Sequence, residues 1–185
     1  YQELTFHGTF SDPGWCDTHT ANWEFGDGQT SAGTLTEEED DPPSVTGTVE
    51  VSHAYGAPGD YSVTVTVTDD DGGATTAAAW SVHVSDVAEA KHDLADYIQG
   101  LPATAFKGKA DQRKNALANM FSALDEMIAD EEWNGFVSSL QNNVREKADG
   151  LIDGKTGDDW ITTYDAQYHV CMKIDDIVAY VETFP

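Results

Sequence analysis

The spacing of apolar residues changes once along the chain, near Ser85. Before this residue apolar and polar residues alternate, which is the period of a half-buried β-strand; after it apolar residues recur every three or four positions, which is the period of an amphipathic helix. The first period is suited to a layer of β-sheet and the second to a layer of helices, so the change predicts two domains. We expect an all-β domain over residues 1–85 and an all-α domain over residues 86–185.

Charge changes at the same boundary. Residues 1–85 contain 15 of the 34 acids and none of the nine Lys and Arg residues, whereas residues 86–185 contain 19 acids and all nine bases. The net charge of −25 argues against binding to nucleic acid or to anionic membranes, because both require a basic surface. No segment approaches the ~20 apolar residues of a membrane span, so we expect no membrane insertion and place any export signal or anchor outside these residues.

Five strands are predicted in the first half, separated by the turn sequences "SDPG", "GDGQ", "APGD" and "DDDGG". Short alternating segments with Gly and Asp between them are typical of a β-sandwich. The inward-facing residues of the five strands are Leu4 and Phe6; Ala21, Trp23 and Phe25; Val49, Val51, His53 and Tyr55; Tyr61, Val63, Val65 and Val67; and Trp80, Val82 and Val84.

Three motifs of this half, "FSDPGWCDTHTANW", "WEFGDG" and "VSHAYGAPGDYSVTVTVTDDDGG", occur in an order and spacing that resemble a PKD domain. The resemblance covers about residues 1–85 and implies an immunoglobulin-like sandwich of a surface or secreted protein. It also implies a strand upstream of the one at Leu4–Phe10, which this sequence lacks. We therefore expect one edge of the sandwich to be unpaired.

The stretch "WEFGDG" leaves two interpretations open. In the first, Asp27 caps the hairpin turn through its own side chain, as Asp commonly does in turns. In the second, Glu24 and Asp27 converge with Asp69 and Asp71 at one end of the sandwich and bind calcium, as the resemblance to calcium-binding PKD domains implies. A glycosidase pair is disfavoured, because these acids lie in turns rather than in a cleft.

Four amphipathic helices are predicted in the second half, and their short connections favour an antiparallel bundle. Asp86 and Glu89 have the spacing of a capping box, and Thr162 and Asp165 match a similar pattern. The segments "LADYIQGL", "RKNALANMF" and "DDWI" resemble FIMAH-like helical modules that follow PKD repeats in secreted microbial proteins. The predicted core stripes are Val87, Ala90, Leu94, Ile98 and Leu101; Ala116, Leu117, Met120, Phe121, Leu124, Met127 and Ile128; Trp133, Phe136, Val137, Leu140 and Val144; and Val170, Cys171, Ile174, Ile177, Val178 and Val181.

Two further groups of residues contain the side-chain types of a metal site but not the sequence spacing of a known one. Asp149, Asp153, Asp158 and Asp159 lie in one loop but do not match a helix-loop-helix calcium site, so we interpret the loop as acidic and solvated. Cys16, His19, His169 and Cys171 contain the ligand types of a zinc site but are divided between the two domains. A Cys16–Cys171 disulfide and two free thiols remain open as alternatives.

No phosphate-binding loop, nucleophile elbow or zinc-protease motif occurs, so we expect a protein that is not an enzyme and has no cofactor other than the calcium considered above. We expect an extracellular or cell-surface module for spacing, adhesion or assembly, whose partners are surface proteins, glycans or neighbouring copies. One alternative is a glycan-binding module with Trp15 and Trp160 as platforms, and another is a polymer subunit joined by β-strand donation. The acidity is typical of a halophilic source, where salt screens self-repulsion.

Overall fold

The computed structural model describes residues 3–14, 16–38, 44–152, 154 and 156–184. The chain divides into two compact units, Tyr1–Val84 and Ser85–Pro185. The division lies one residue before the predicted boundary. Each unit contains one kind of secondary structure, and each has its own hydrophobic core.

The first unit consists of two antiparallel sheets. One has the strand order β1-β5-β4, and the other has the order β3-β2-β6, with β7 and β8 both paired with β6. The predicted immunoglobulin-like sandwich is confirmed. Its strands are β1 (Leu4–Asp12), β2 (His19–Glu24), β3 (Thr30–Ala32), β4 (Thr34–Glu38), β5 (Val45–His53), β6 (Gly59–Asp69), β7 (Ala74–Thr76) and β8 (Trp80–Val84).

Trp23 is the largest side chain of the first core, and it is fully buried. The first unit leaves room for its indole at Gly33. A Cβ at Gly33 would lie 2.5 Å from Val49 Cγ2 and 2.7 Å from the indole Nε1, whereas a Cβ at Gly8 would meet Val49 Cγ1 at 3.0 Å and the indole only at 4.0 Å. Burial of one such ring contributes about 3 kcal/mol. The other buried members of this core are Ala21, Phe25, Val49, Tyr55, Val63 and Val65.

The second unit is a helical bundle, as predicted. Its helices are α1 (Val87–Gly100), α2 (Ala110–Ala129), α3 (Trp133–Ser139) and α4 (Tyr164–Val181). Helix α1 packs against α2 and α4, and α3 packs against the same two helices. The third predicted helix is less regular than expected, because after Ser139 the chain continues as a π-helical segment, Leu140–Val144, and a 3₁₀ turn, Arg145–Lys147.

The two predicted caps have different outcomes. At α1 the capping box is complete: the Glu89 N–H donates to Asp86 Oδ1 at 2.8 Å, and the Asp86 N–H donates to Glu89 Oε2 at 3.0 Å. At α4 the N-cap is Thr163, which makes no side-chain cap. The capping prediction for Thr162 and Asp165 is therefore wrong, because the Thr162 hydroxyl donates instead to the carbonyl oxygen of Ala105.

Candidate functional site

Asp27 is part of the fold of the hairpin that follows β2. Its Oδ1 accepts the N–H of Gln29 at 2.9 Å, and its Oδ2 lies 2.8 Å from His53 Nε2, which donates to it. Gly26 and Gly28, with φ of +81° and +88°, supply the left-handed conformations that the turn requires. The turn-capping interpretation of Asp27 is confirmed. Both oxygens of the carboxylate are already used by the protein itself.

The environment of Asp27 favours its charged form. Burial opposes ionisation, but the N–H of Gln29 and the hydrogen bond and charge of His53 outweigh burial and lower the pKa of Asp27. His53 stacks on Phe25 with 3.8 Å between ring centroids and 6° between planes. Tyr55 lies edge-on to His53 and donates its hydroxyl to the carbonyl of Phe25 at 3.1 Å. This end of the sandwich is a packed structural cluster.

The four acids of the predicted calcium site do not come together. Strands β2 and β6 are antiparallel, so Glu24 pairs with Thr64, whereas Asp69 pairs with His19 at the other end of the same ladder. Five residues of strand separate the two ends by about 17 Å, while calcium binds its ligands at about 2.4 Å. The prediction of one site formed by Glu24, Asp27, Asp69 and Asp71 is therefore wrong. Among the residues that the structure describes, no group of three His, Cys, Asp or Glu side chains has metal-binding geometry.

Asp69 and its neighbours lie at the opposite end of the sandwich. Asp69 Oδ1 accepts the N–H of Gly73 at 2.7 Å and closes the turn between β6 and β7, while Asp71 is exposed. Desolvation, followed by the negative charges of Asp70 and Asp12, raises the pKa of Asp17. Like charges are therefore concentrated at this end.

Of the other predicted ligands, His19 and Cys171 have structural partners within their own units. The His19 side chain is 2% exposed, with Nδ1 2.9 Å from Glu37 Oε1 and Nε2 3.7 Å from Asp12 Oδ2. Cys16 is exposed. Cys171 is buried in the helical core, where its thiol donates to the carbonyl of Ala148 at 3.5 Å.

The acidic loop of the second unit is not uniformly solvated, which corrects the sequence-based interpretation. Asp159 is 3% exposed and Gln167 is 0% exposed. Asp159 Oδ1 accepts the N–H of Gly150 at 3.2 Å, and its Oδ2 accepts Gln167 Nε2 at 3.0 Å. Gln167 also donates to the Ile161 carbonyl and accepts from the Leu151 N–H. The loop is thereby fixed to α4. Asp153 lies outside the described residues.

Of the two tryptophans predicted as sugar platforms, the structure describes Trp160. The Arg113 guanidinium and the Lys147 ammonium each lie over its ring, 5.7 Å from the ring centre, so the ring already contacts two cations of the protein. Trp15 lies outside the described residues.

The β1 edge, which we define as the side of Leu4–Asp12 not paired with β5, belongs to the longest outer strand of the described first unit. Among the described residues no strand pairs with this side of β1. The strand keeps a regular nine-residue register with β5, and its only ionisable residues are His7 and Asp12. The other outer strands have three to five residues.

The core beneath the β1 edge is incompletely covered. Leu4, Phe6 and Phe10 point inward but are only half-buried, whereas Val49 of the adjacent strand is buried. Phe6 lies 5.9 Å from the Trp23 ring, and Trp80 stacks on Trp23 at 5.6 Å while remaining 39% exposed. The edge therefore combines free backbone groups with accessible apolar side chains.

Sequence reasoning expected this edge but missed a second accessible surface. Tyr164, Tyr168 and Met172 are exposed on α4, opposite the stripe that was predicted as its core. Their spacing of four residues was the available signal, but it lay beside a stronger apolar stripe.

Comparison with known proteins agrees with the fold of the first unit. Residues 1–84 match the family model described as the PKD domain. No curated protein and no solved structure matches the chain. In the described part of the chain, no helix is both long and apolar enough to cross a membrane. The PKD domain is a non-catalytic domain type that occurs in extracellular proteins, and the match to it covers residues 1–84, somewhat less than half of the chain.

Proposed function

We propose that this protein is a non-catalytic module of an extracellular or cell-surface protein, and that it serves spacing, adhesion or assembly. The match of residues 1–84 to the PKD domain, a non-catalytic domain type that occurs in extracellular proteins, supports this proposal. The observation that carries the assembly role is the β1 edge, with its unpaired side and its half-buried apolar row. We further propose that the second unit is a FIMAH-like module.

The β1 edge has the properties of a strand-accepting surface. Edge strands are normally protected by charges, Pro, bulges or short length. β1 has nine residues, a continuous register, and no Lys, Arg or Pro between Leu4 and Asp12. An extended segment pairing with this edge gains main-chain hydrogen bonds, and its alternate side chains cover the half-buried row Leu4, Phe6 and Phe10.

The source of that segment is either a neighbouring copy or another part of the same polypeptide. In the first case the protein is a polymer subunit joined by β-strand donation. The net charge of −25 opposes association at low ionic strength, so donation between copies requires salt.

The test compares lysines on the edge strand with lysines on the central strand. Thr5 and Thr9 pair in register with Ser52 and Thr48, and all four residues are exposed. Thr5→Lys with Thr9→Lys introduces charge beside an incoming strand, whereas Ser52→Lys with Thr48→Lys adds the same charge on β5. Sedimentation in molar salt is expected to show association that only the edge variant weakens.

Residue-level hydrogen exchange provides the second readout. In the monomer, the alternate β1 amides that face away from β5 are expected to exchange quickly, and assembly should protect them. A protein that stays monomeric, with those amides unprotected at every concentration, would show that copies do not donate strands. Protection in the monomer would instead identify a segment of the same chain.

A second candidate function, glycan binding, is favoured by a cleft in the second unit. The cleft has a volume of about 810 Å³ and lies between the start of α3 and the end of α4. Trp133 and Phe184 contribute aromatic surface, and Asn134, Gln141 and Asn142 contribute amides that can bind sugar hydroxyls. Titration with polysaccharides is expected to change tryptophan fluorescence, and Gln141→Ala with Asn142→Ala should abolish the change. An unchanged signal in the unsubstituted protein would exclude this function for the glycans tested.

A further inference from the structure

We propose that the outer side of α4 is a docking surface for a basic amphipathic helix of another protein. This inference goes beyond the proposed function and does not depend on the β1 edge. We define the α4 face as Tyr164, Tyr168 and Met172, which are 60%, 44% and 45% exposed.

The α4 face forms a continuous row. Its residues are spaced by four, so they lie on one side of the helix over a length of about 12 Å. Tyr164 and Tyr168 stack with 6.2 Å between ring centroids, and Tyr168 lies edge-on to His169 at 5.7 Å. These contacts order the tyrosines before any partner arrives, which reduces the entropy lost on binding.

The bundle does not require this row. Helix α4 already buries its other side, including Val170, Ile174 and Ile177, in the core. A single exposed apolar residue needs no explanation, but three of the five large hydrophobic residues that are exposed in the described chain lie on one side of α4. Tyr and Met are also enriched at protein interfaces.

Charges around the α4 face determine which partner fits. Asp165, Asp175 and Asp176 are exposed on the same side of the helix. The cations nearby already have partners: Arg145 Nε lies 3.3 Å from Asp175 Oδ1, and His169 Nδ1 lies 2.8 Å from the Asp165 carbonyl oxygen. Lys173 is half-buried on the flank, and α1 contributes Tyr97 beside His169 and the exposed pair His92 and Asp96. The surroundings of the face are therefore predominantly negative.

This charge distribution disfavours a second copy of the chain and favours a basic partner. Two copies meeting through α4 would bring together two acidic rims, and each copy has a net charge of −25. A helix with an apolar row flanked by Lys and Arg matches both the row and its rim, and two helices can pack through such rows.

The test uses the full chain and a synthetic helix of about 18 residues, in which a Leu row is flanked by Lys. The control peptide has the same composition in scrambled order, so it keeps the charge and loses the row. The protein has three methionines, and labelling their methyl groups with ¹³C provides internal controls. Met172 is exposed, whereas Met120 and Met127 are partly buried against the core. We expect the ordered peptide to shift the Met172 signal and to leave the other two unchanged.

Two variants measure the apolar and the charged contributions. Tyr168→Ser is expected to weaken binding about tenfold. Asp176→Asn is expected to weaken it several-fold, and Asp93→Asn, an exposed change of the same type on α1, should leave it unchanged. Far-ultraviolet circular dichroism checks that each variant is folded.

Three outcomes would overturn the proposal. Equal affinity for the ordered and scrambled peptides would reduce the interaction to non-specific charge attraction. Unchanged affinity in Tyr168→Ser would remove the α4 face from the interface. A Met172 signal that shifts with protein concentration alone would identify a second copy as the occupant.

Discussion

The two units satisfy their acidic side chains in different ways. In the described part of the first unit, acids contact backbone N–H groups and histidines, as Asp27 does with Gln29 and His53. The second unit also uses backbone N–H groups, but it adds cations: Lys91 is paired with Asp125, and Arg145 is paired with Asp149 and Asp175. We therefore expect the stability of the first unit to depend more on pH and salt, and that of the second to depend more on particular side-chain contacts.

The largest loss of stability is expected on substitution of Gln167, whose amide donates a hydrogen bond to the buried carboxylate of Asp159. Gln167→Leu keeps the approximate size of the side chain but removes its polar atoms. The substitution therefore removes the hydrogen bonds that Gln167 makes with Asp159, the Leu151 N–H and the Ile161 carbonyl. Because Asp159 Oδ2 and the Ile161 carbonyl each lose a buried hydrogen bond, we expect a loss of about 3 kcal/mol in the free energy of unfolding. Denaturant unfolding followed by circular dichroism measures it.

The matched control is Gln141→Leu, an exposed glutamine in the same unit. This change is expected to alter stability by less than about 0.5 kcal/mol. Similar losses in both variants would mean that the Asp159–Gln167 contact does not hold the loop.

The next largest effect is expected at Asp27 in the first unit. Asp27→Asn retains the size of the side chain but weakens its hydrogen bonds with Gln29 and His53, so we expect a loss of about 1–2 kcal/mol at neutral pH. Glu24→Gln is the control, because Glu24 is an exposed acid of the same segment. If calcium raised the melting temperature and both substitutions abolished the increase, our structural account of Asp27 would be contradicted.

The pH dependence of this effect has a defined sign. The pKa of Asp27 is lowered in the folded protein, so the folded state favours the charged carboxylate more than the unfolded state does. The resulting stability is present above the unfolded pKa of about 3.9 and is lost as pH falls through the lower folded value. The stability difference between the protein and Asp27→Asn should therefore shrink below about pH 4. A constant difference down to pH 2 would contradict the assignment.

A smaller difference is expected between the two units in how strongly salt affects their stability. The first unit has acids and no Lys or Arg, and at one end Asp12, Asp69 and Asp70 surround Asp17. Lowering salt from molar to millimolar concentrations should destabilise this unit by about 1 kcal/mol more than the second. Hydrogen exchange of core amides measures each unit separately in the intact chain. Equal responses in the two units would remove the argument for a halophilic source.

The smallest effect concerns backbone conformation. In the described part of the first unit, every residue with positive φ is glycine, whereas the second unit places Glu131 at φ +56° after α2. The Glu132 N–H bonds back to the Met127 carbonyl at 2.8 Å, so Glu131 occupies a helix-ending position that glycine commonly fills. Glu131→Gly is expected to stabilise the protein by about 0.5 kcal/mol, and Glu132→Gly should destabilise it. Thermal unfolding of both variants tests the difference.

The sandwich was predictable because its strands alternate and its turns contain Gly and Asp. Strands β3, β4 and β7 were missed, because they are three to five residues long and contain several exposed polar residues. In the bundle, the core stripes predicted four helices, but they do not distinguish an α-helix from the π-helical turn at Leu140–Val144, since both keep Leu140 and Val144 buried.

The predicted calcium site failed for a topological reason. Asp27 follows the end of β2, and Asp69 ends β6; in an antiparallel pair the ends of two strands lie at opposite edges. Antiparallel pairing of these two strands is therefore sufficient to exclude the site. The partner of Asp27 was not predictable in the same way, because His53 is brought to it by the packing of two sheets rather than by local sequence.

The fit of Trp23 against Gly33 has a consequence for how sequences of this kind can diverge. A methyl group at Gly33 would lie 2.5 Å from Val49 Cγ2 and 2.7 Å from the indole Nε1, so both side chains exclude it. A larger residue at position 33 therefore requires smaller side chains at positions 23 and 49, and smaller side chains there leave a void unless position 33 becomes larger. Trp23, Gly33 and Val49 are therefore expected to co-vary among homologues as a set of constant volume, even though they lie on three different parts of the chain.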